Sequence, residues 1–160
     1  NKPGKTELIS REIDPLGIMF SEFYFYLIAH HHQSNDDFKI VYRLDRIGEY
    51  EISDRHFQLN YTDRFQEGEF RKRVQFMTAG KLMTVKFKFR GNLEAALDRL
   101  PTARIIEENE DEYILEAEVY GPGIKMWFLS QGERLEVISP PSFREEMKST
   151  IQKMLKSYKN

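Results

Sequence analysis

The stretch FYFYLIAHHHQSNDDFKIVYRLDRI, residues 23–47, constrains the fold more than any other part of the chain. Two runs rich in strand formers flank QSNDD, and its Ser34-Asn35 centre is good turn chemistry. Paired as an antiparallel hairpin about that turn, residue 26 sits opposite 43, 30 opposite 39 and 24 opposite 45. Both runs then sort together. Phe23, Phe25, Leu27 and Ala29 meet Ile40, Tyr42 and Leu44 on one face. Tyr24, Tyr26, Ile28 and His30 meet Lys39, Val41, Arg43 and Asp45 on the other. A slip of one residue destroys this sorting, because strand side chains alternate from face to face. The expectation is a core face and an outward face that offers aromatic planes, a histidine and two cations, Lys39 and Arg43. That set suits a phosphate, a base, or both.

The rest of the first half is also strand-like. Residues 8–13 alternate weakly until Pro15 breaks them, and residues 16–20 are rich in strand formers. Several short strands with short connections suggest a small barrel or sandwich. NKPGKT reads as a turn at Pro3-Gly4, as if a preceding strand were missing, and no initiator Met is present. The expectation is a fragment or processed product. Residues 56–80 read as a linker ordered by Phe57, Tyr61, Phe65, Phe70 and Phe76, with a short helix across 68–76.

The second half changes character. Residues 82–89 alternate, with Val85, Phe87 and Phe89 on one side and Lys86, Lys88 and Arg90 on the other. Asn92 caps a helix carrying Leu93, Ala96, Leu97 and Leu100. Two strands, 104–107 and 112–120, flank the acidic turn ENEDE. Gly121-Pro122-Gly123 opens an apolar helix that Gly132 closes, and a strand follows at 134–138. Ser142 and Glu145 read as a capping box for a last helix whose stripe is Phe143, Met147, Ile151, Met154, Leu155 and Tyr158. The order β-α-β-β-α-β plus a terminal helix is ferredoxin-like.

At the hairpin the sequence resembles the WYL-domain family. Phe25-Tyr26-Leu27 stands where that family has Trp-Tyr-Leu, and PLGIMF, YLIAH and YRLDRI follow its pattern. The second half, including WFLSQGERLEVISPPSFREEM, resembles the family's C-terminal extension. The resemblance implies an Sm-like small β-barrel over residues 1–55 and a ferredoxin-like extension over 81–160, hence an α+β chain. It further implies the effector-sensing half of a bacterial transcriptional regulator whose N-terminal winged-helix domain is absent, so double-stranded DNA would be met only through that missing part; a cytoplasmic location is expected separately, from a polar N-terminal stretch without the apolar core of a signal peptide. The implied effector is single-stranded nucleic acid or a nucleotide-like molecule, and the implied assembly is a homodimer. Tyr26 and Arg43 match the family's ligand-facing Tyr and Arg. Arg46 matches a motif arginine, although alternation puts it on the core side, where it could instead bond backbone carbonyls.

The expected ligand site is therefore Tyr26, His30, Lys39, Arg43 and Arg46. The plainer reading of Tyr26 and Arg43 is a solvated cross-strand pair. Arg71 and Arg73 are candidate phosphate contacts, against the reading of a helix turn balanced by Glu67 and Glu69. His30 and His32 could share a strand face, but no third ligand is placed for a metal, and His31 and His32 are expected to lead into an exposed turn. No cofactor and no catalytic constellation is expected: G-x-G-x-x-G, P-loop, nucleophile-elbow and H-E-x-x-H motifs are all absent.

Composition narrows the classes further. A net charge of −2 does not suggest a protein that coats nucleic acid indiscriminately. The absence of cysteine removes disulfides, thiolate metal sites and cysteine nucleophiles. No run approaches the roughly 18 apolar residues of a membrane-spanning helix, and no membrane partner is expected.

Overall fold

The computed structural model describes residues 8–32, 39–58, 64–78 and 80–158. The NKPGKT turn, the QSNDD turn and Tyr61 lie outside the described residues. The chain divides into two compact units, Asn1–Glu67 and Gly68–Asn160. That division falls inside the stretch read as a linker.

In the first unit, β1 (Ile13–Ser21), β2 (Tyr24–His31) and β3 (Ile40–Arg43) form an antiparallel sheet in the order β1-β2-β3. The hairpin register is the expected one: Tyr26 sits opposite Arg43, Leu27 opposite Tyr42, Ile28 opposite Val41 and Ala29 opposite Ile40. The described residues form an open sheet rather than a closed barrel. Residues 8–12 are not strand, whereas Pro15 lies within β1. The register shifts between Pro15 and Gly17, and such an irregularity is where a strand tolerates proline. Ser21 pairs with Tyr24 across Glu22 and Phe23, whose φ angles are 47° and 71°. Left-handed backbone at both central residues matches the twist of a tight hairpin but is a strained choice for phenylalanine.

Burial does not follow the expected core face, of which Ala29 alone is fully buried. Met19, Tyr26 and Ile28 are buried, whereas Ile18, Phe20, Phe23 and Phe25 are exposed. A Cβ on Gly17 would lie 3.0 Å from the Phe65 ring. Gly17 pairs with Ile28, so its missing side chain lets Phe65 cover the Tyr26–Ile28 face. Phe20 and Phe25 meet on the other side with tilted rings, 5.1 Å between centroids.

The second unit takes all but the first residue of α1 (Glu67–Arg73), then runs β4 (Leu82–Phe89), α2 (Leu93–Arg99), β5 (Arg104–Glu108), β6 (Tyr113–Tyr120), α3 (Gly121–Ser130), β7 (Leu135–Ser139) and α4 (Pro141–Ser157). From β4 to β7 this is the expected β-α-β-β-α-β order. The sheet order is β5-β6-β4-β7, antiparallel throughout. Alternation sorts β4 as read: Val85, Phe87 and Phe89 are buried with Leu115, Ala117 and Val119 of β6, and with Ile124 and Phe128 of α3. Phe87 lies 4.8 Å from Phe128, centroid to centroid. Each such large side chain contributes about 1.5–3 kcal/mol when fully buried.

Asn92 caps α2 by accepting a hydrogen bond from the Ala95 N–H at 2.9 Å. The expected capping box of the last helix does not form. Pro140 is the N-cap of α4 and no side chain bonds the cap. Proline suits this end of a helix because the first N–H groups have no intrahelical acceptor. Only Phe143 and Met147 of the expected stripe are buried; Ile151, Met154, Leu155 and Tyr158 are exposed. No helix among the described residues is long and apolar enough to cross a membrane.

Candidate functional site

The end of the β2–β3 hairpin brings a cation, a carboxylate and an aromatic ring together. Arg43 ends β3, and the chain turns at once into a 3-10 turn, Leu44–Arg46. That turn folds Asp45 back under the guanidinium. Arg43 Nε donates to Asp45 Oδ1 at 3.0 Å and Nη2 donates to Oδ2 at 2.5 Å. The guanidinium carbon also sits 3.5 Å from the centroid of the Tyr24 ring. Arg43 is thus held flat between an aromatic plane and a bidentate carboxylate. The Asp45 hydrogen bonds raise the pKa of Arg43 above its ordinary value, and Arg43 lowers that of Asp45 in return.

The five expected ligand residues do not form one surface. Tyr26 is on the same face, opposite Arg43, but is only 8% exposed and so is not open to a ligand. Arg46 is exposed, not core-facing, because the strand ends at Arg43 and its alternation ends with it. His30 lies farther along β2, half-buried and opposite Asp14. Lys39 is half-buried just before β3. The outward groups at the hairpin end are Tyr24, Arg43, Asp45 and Arg46. Tyr24 and Asp45 are the members that the sequence reading left off the site, although its register already placed them opposite each other.

The histidine run is anchored to the start of β1. His32 Nδ1 lies 2.8 Å from Asp14 Oδ1, and Arg11 Nη1 lies 3.2 Å from His31 Nε2. His31 and His32 are therefore half-buried and bonded, and the turn expected after them lies outside the described residues. Among the described residues no three His, Asp or Glu side chains converge on a point that could hold a metal.

The basic cluster on α1 is partly committed. Arg73 donates to Glu69 Oε2 at 2.7 Å and to Glu118 Oε2 at 3.1 Å, and Lys72 donates to Glu69 at 2.7 Å. These partners push the Glu69 carboxyl down to about 2. A shallow cavity of about 350 Å³ on the second unit's sheet is lined by Arg73, Arg104, Glu116 and Glu118. Arg104 bonds Glu116 there, so its charges cancel in pairs. Arg71 is exposed.

Comparison with known proteins bears on both units. Residues 1–52 match the WYL domain and residues 81–155 match the WCX domain. A search of curated proteins finds no match. A similar solved structure is proteasome accessory factor B/C (PafBC) of Arthrobacter aurescens, at 18% identity and a TM-score of 0.46. The similarity covers 94% of this chain and 23% of that one, so the chain spans about a quarter of that protein's length.

Proposed function

Since this chain is a WYL-domain protein carrying a WCX domain, we propose that it is the effector-sensing portion of a cytoplasmic transcriptional regulator, acting by binding and not by catalysis. The reading takes the first unit as an Sm-like element and the second as a ferredoxin-like one, in keeping with the strand order β5-β6-β4-β7. The effector is single-stranded nucleic acid or a nucleotide-like anion. The observation that carries it is the Arg43 guanidinium, stacked on Tyr24 and beside the exposed Arg46. An aromatic plane next to two cations accommodates a base and its phosphate. His30 and Lys39, half-buried and beyond the covered Tyr26–Ile28 stretch, would lie outside this contact.

Asp45 shapes the mechanism. It neutralises Arg43 in the free protein, so a phosphate must displace the carboxylate or bridge Arg43 and Arg46. Ligand binding is thereby coupled to the geometry of the 3-10 turn. A ligand that favours one arrangement of that turn can bias a homodimer between two states, provided it binds them with different affinity.

A titration of a mononucleotide against a short single-stranded oligonucleotide tests the reading. Only an oligonucleotide that contacts several cations should lose affinity steeply as salt rises, through counterion release. Equal, salt-insensitive affinities would make the effector an anionic small molecule. Absence of binding by the folded protein to either would leave a dimerisation unit and defeat the sensing role.

A further inference from the structure

The terminal helix is two different surfaces in one element. Its first half is fastened to its own unit: Phe143 and Met147 are buried, Lys125 bonds Glu146 at 2.8 Å and Arg144 bonds Glu136 at 2.7 Å. Its second half has no such ties among the described residues. Ile151, Met154, Leu155 and Tyr158 are 52%, 46%, 54% and 85% exposed, and they recur at the spacing of one helix face. Lys153 and Lys156 border this stripe, with no acidic partner among the described residues. An apolar stripe flanked by unpaired cations fits a surface that is apolar and acidic.

The same unit carries such a surface. β5 is an edge strand whose five residues are all exposed, Ile105 and Ile106 among them at 42% and 40%. The turn beyond it holds Glu110 and Asp111, and Glu107 and Glu108 lie at the strand's end. None of these four carboxylates has an ion-pair partner among the described residues, unlike Glu112, which bonds Lys88 and Arg90. The register shift between Ile105 and Glu107 makes β5 a poor template for adding another strand. It therefore offers side chains, not backbone, to a partner.

We propose that the second half of α4 docks on the β5–β6 hairpin of a second copy of this chain, with the reciprocal contact closing a two-fold dimer. Ile151, Met154 and Leu155 cover Ile105 and Ile106, and Lys153 and Lys156 meet Glu107, Glu108 and the acidic turn. Pairing of α4 with its own copy is disfavoured, because it would set Lys153 and Lys156 against the same lysines. The contact supplies the dimer that the proposed sensing mechanism requires. Oligonucleotide binding is read on the first unit, so either idea can fail alone.

Sedimentation velocity on the whole chain and two charge-reversed forms tests it. All substitutions are at exposed positions, and far-UV circular dichroism checks that each form is folded. Wild type should dimerise. Lys153→Glu/Lys156→Glu and Glu107→Lys/Glu108→Lys should each weaken the dimer at least tenfold. A mixture of the two variants should recover dimer, because both reciprocal contacts then join opposite charges. A wild type that stays monomeric at about 100 µM, well above the micromolar range of specific association, overturns the proposal. So does a Glu107→Lys/Glu108→Lys form that dimerises like wild type, the result expected if α4 pairs elsewhere.

Discussion

Gly123→Ala should destabilise the second unit, although alanine normally favours a helix. Gly123 is in the first turn of α3, and a Cβ placed on it falls 2.2 Å from the Gln75 carbonyl oxygen and 3.0 Å from the carbonyl carbon. Close C···O contacts in proteins lie near 3.3 Å, so a gap of about 1 Å must open. Neither side yields easily. Gln75 begins a tight turn in which Phe76 and Met77 have φ angles of 52° and 47°, closed by a hydrogen bond from Thr78 N–H to Gln75 C=O at 3.1 Å. Its side chain also donates to the Arg99 carbonyl at 3.3 Å. On the other side, Ile124 and Phe128 anchor α3 in the core. Overpacking of this kind costs about 1–3 kcal/mol, against a propensity gain of at most about 1 kcal/mol. Urea unfolding followed by circular dichroism should show a lower midpoint with an unchanged slope. Gly68→Ala is the internal control. Its Cβ meets nothing within 4 Å in α1, and the change should stabilise by about 0.5–1 kcal/mol. A Gly123→Ala protein as stable as wild type would refute the close approach of α3 to the Gln75 turn.

Phe87→Ala removes a fully buried ring packed on Phe128 and Trp127 and should cost about 3–5 kcal/mol in the same assay. Asn92→Ala deletes the α2 cap and should cost about 1 kcal/mol. Asp45→Asn frees Arg43 from its bidentate partner and should tighten oligonucleotide binding several-fold; unchanged or weaker binding would mean that Arg43 does not meet the ligand. Glu69 has a folded-state pKa of about 2, below its ordinary value of 4.5, through Arg73 and then Lys72. Its depressed pKa makes its contribution present in full above the ordinary value and lost as pH falls toward about 2. In acid titrations Glu69→Gln should therefore narrow its stability gap to wild type between those limits, and a gap that widens on acidification would contradict the assignment.

The hairpin register was legible because two strands had to satisfy alternation together, and pairing Tyr26 with Arg43 was the solution that sorted both. The identity of the buried face was not. Tyr26 and Ile28 offer as much ring and aliphatic surface as Phe25 and Leu27, and the choice falls to Phe65, far along the chain, which packs over the bare backbone of Gly17. Alternation also misplaced Arg46, since a period-two argument cannot foresee a 3-10 turn beginning at Leu44. The second unit was easier to read because its apolar residues lie mainly on one side of each strand, and Asn92 is a strong start signal. The capping box at Ser142 failed because Pro140 and Pro141 already set the helix start. The apolar stripe of α4 was visible in full, but periodicity reports which face is apolar, not how far the sheet beneath it extends.

The central claim is that the Arg43 end of the hairpin senses an anionic, base-bearing effector. The most direct test is fluorescence anisotropy of a labelled short single-stranded DNA, wild type against Arg43→Ala, across a series of salt concentrations. The account predicts micromolar or tighter binding that salt weakens, at least tenfold loss in the variant, and a salt slope smaller by about one phosphate contact. Equal binding and equal slopes for the two proteins would contradict it and move the site away from Arg43.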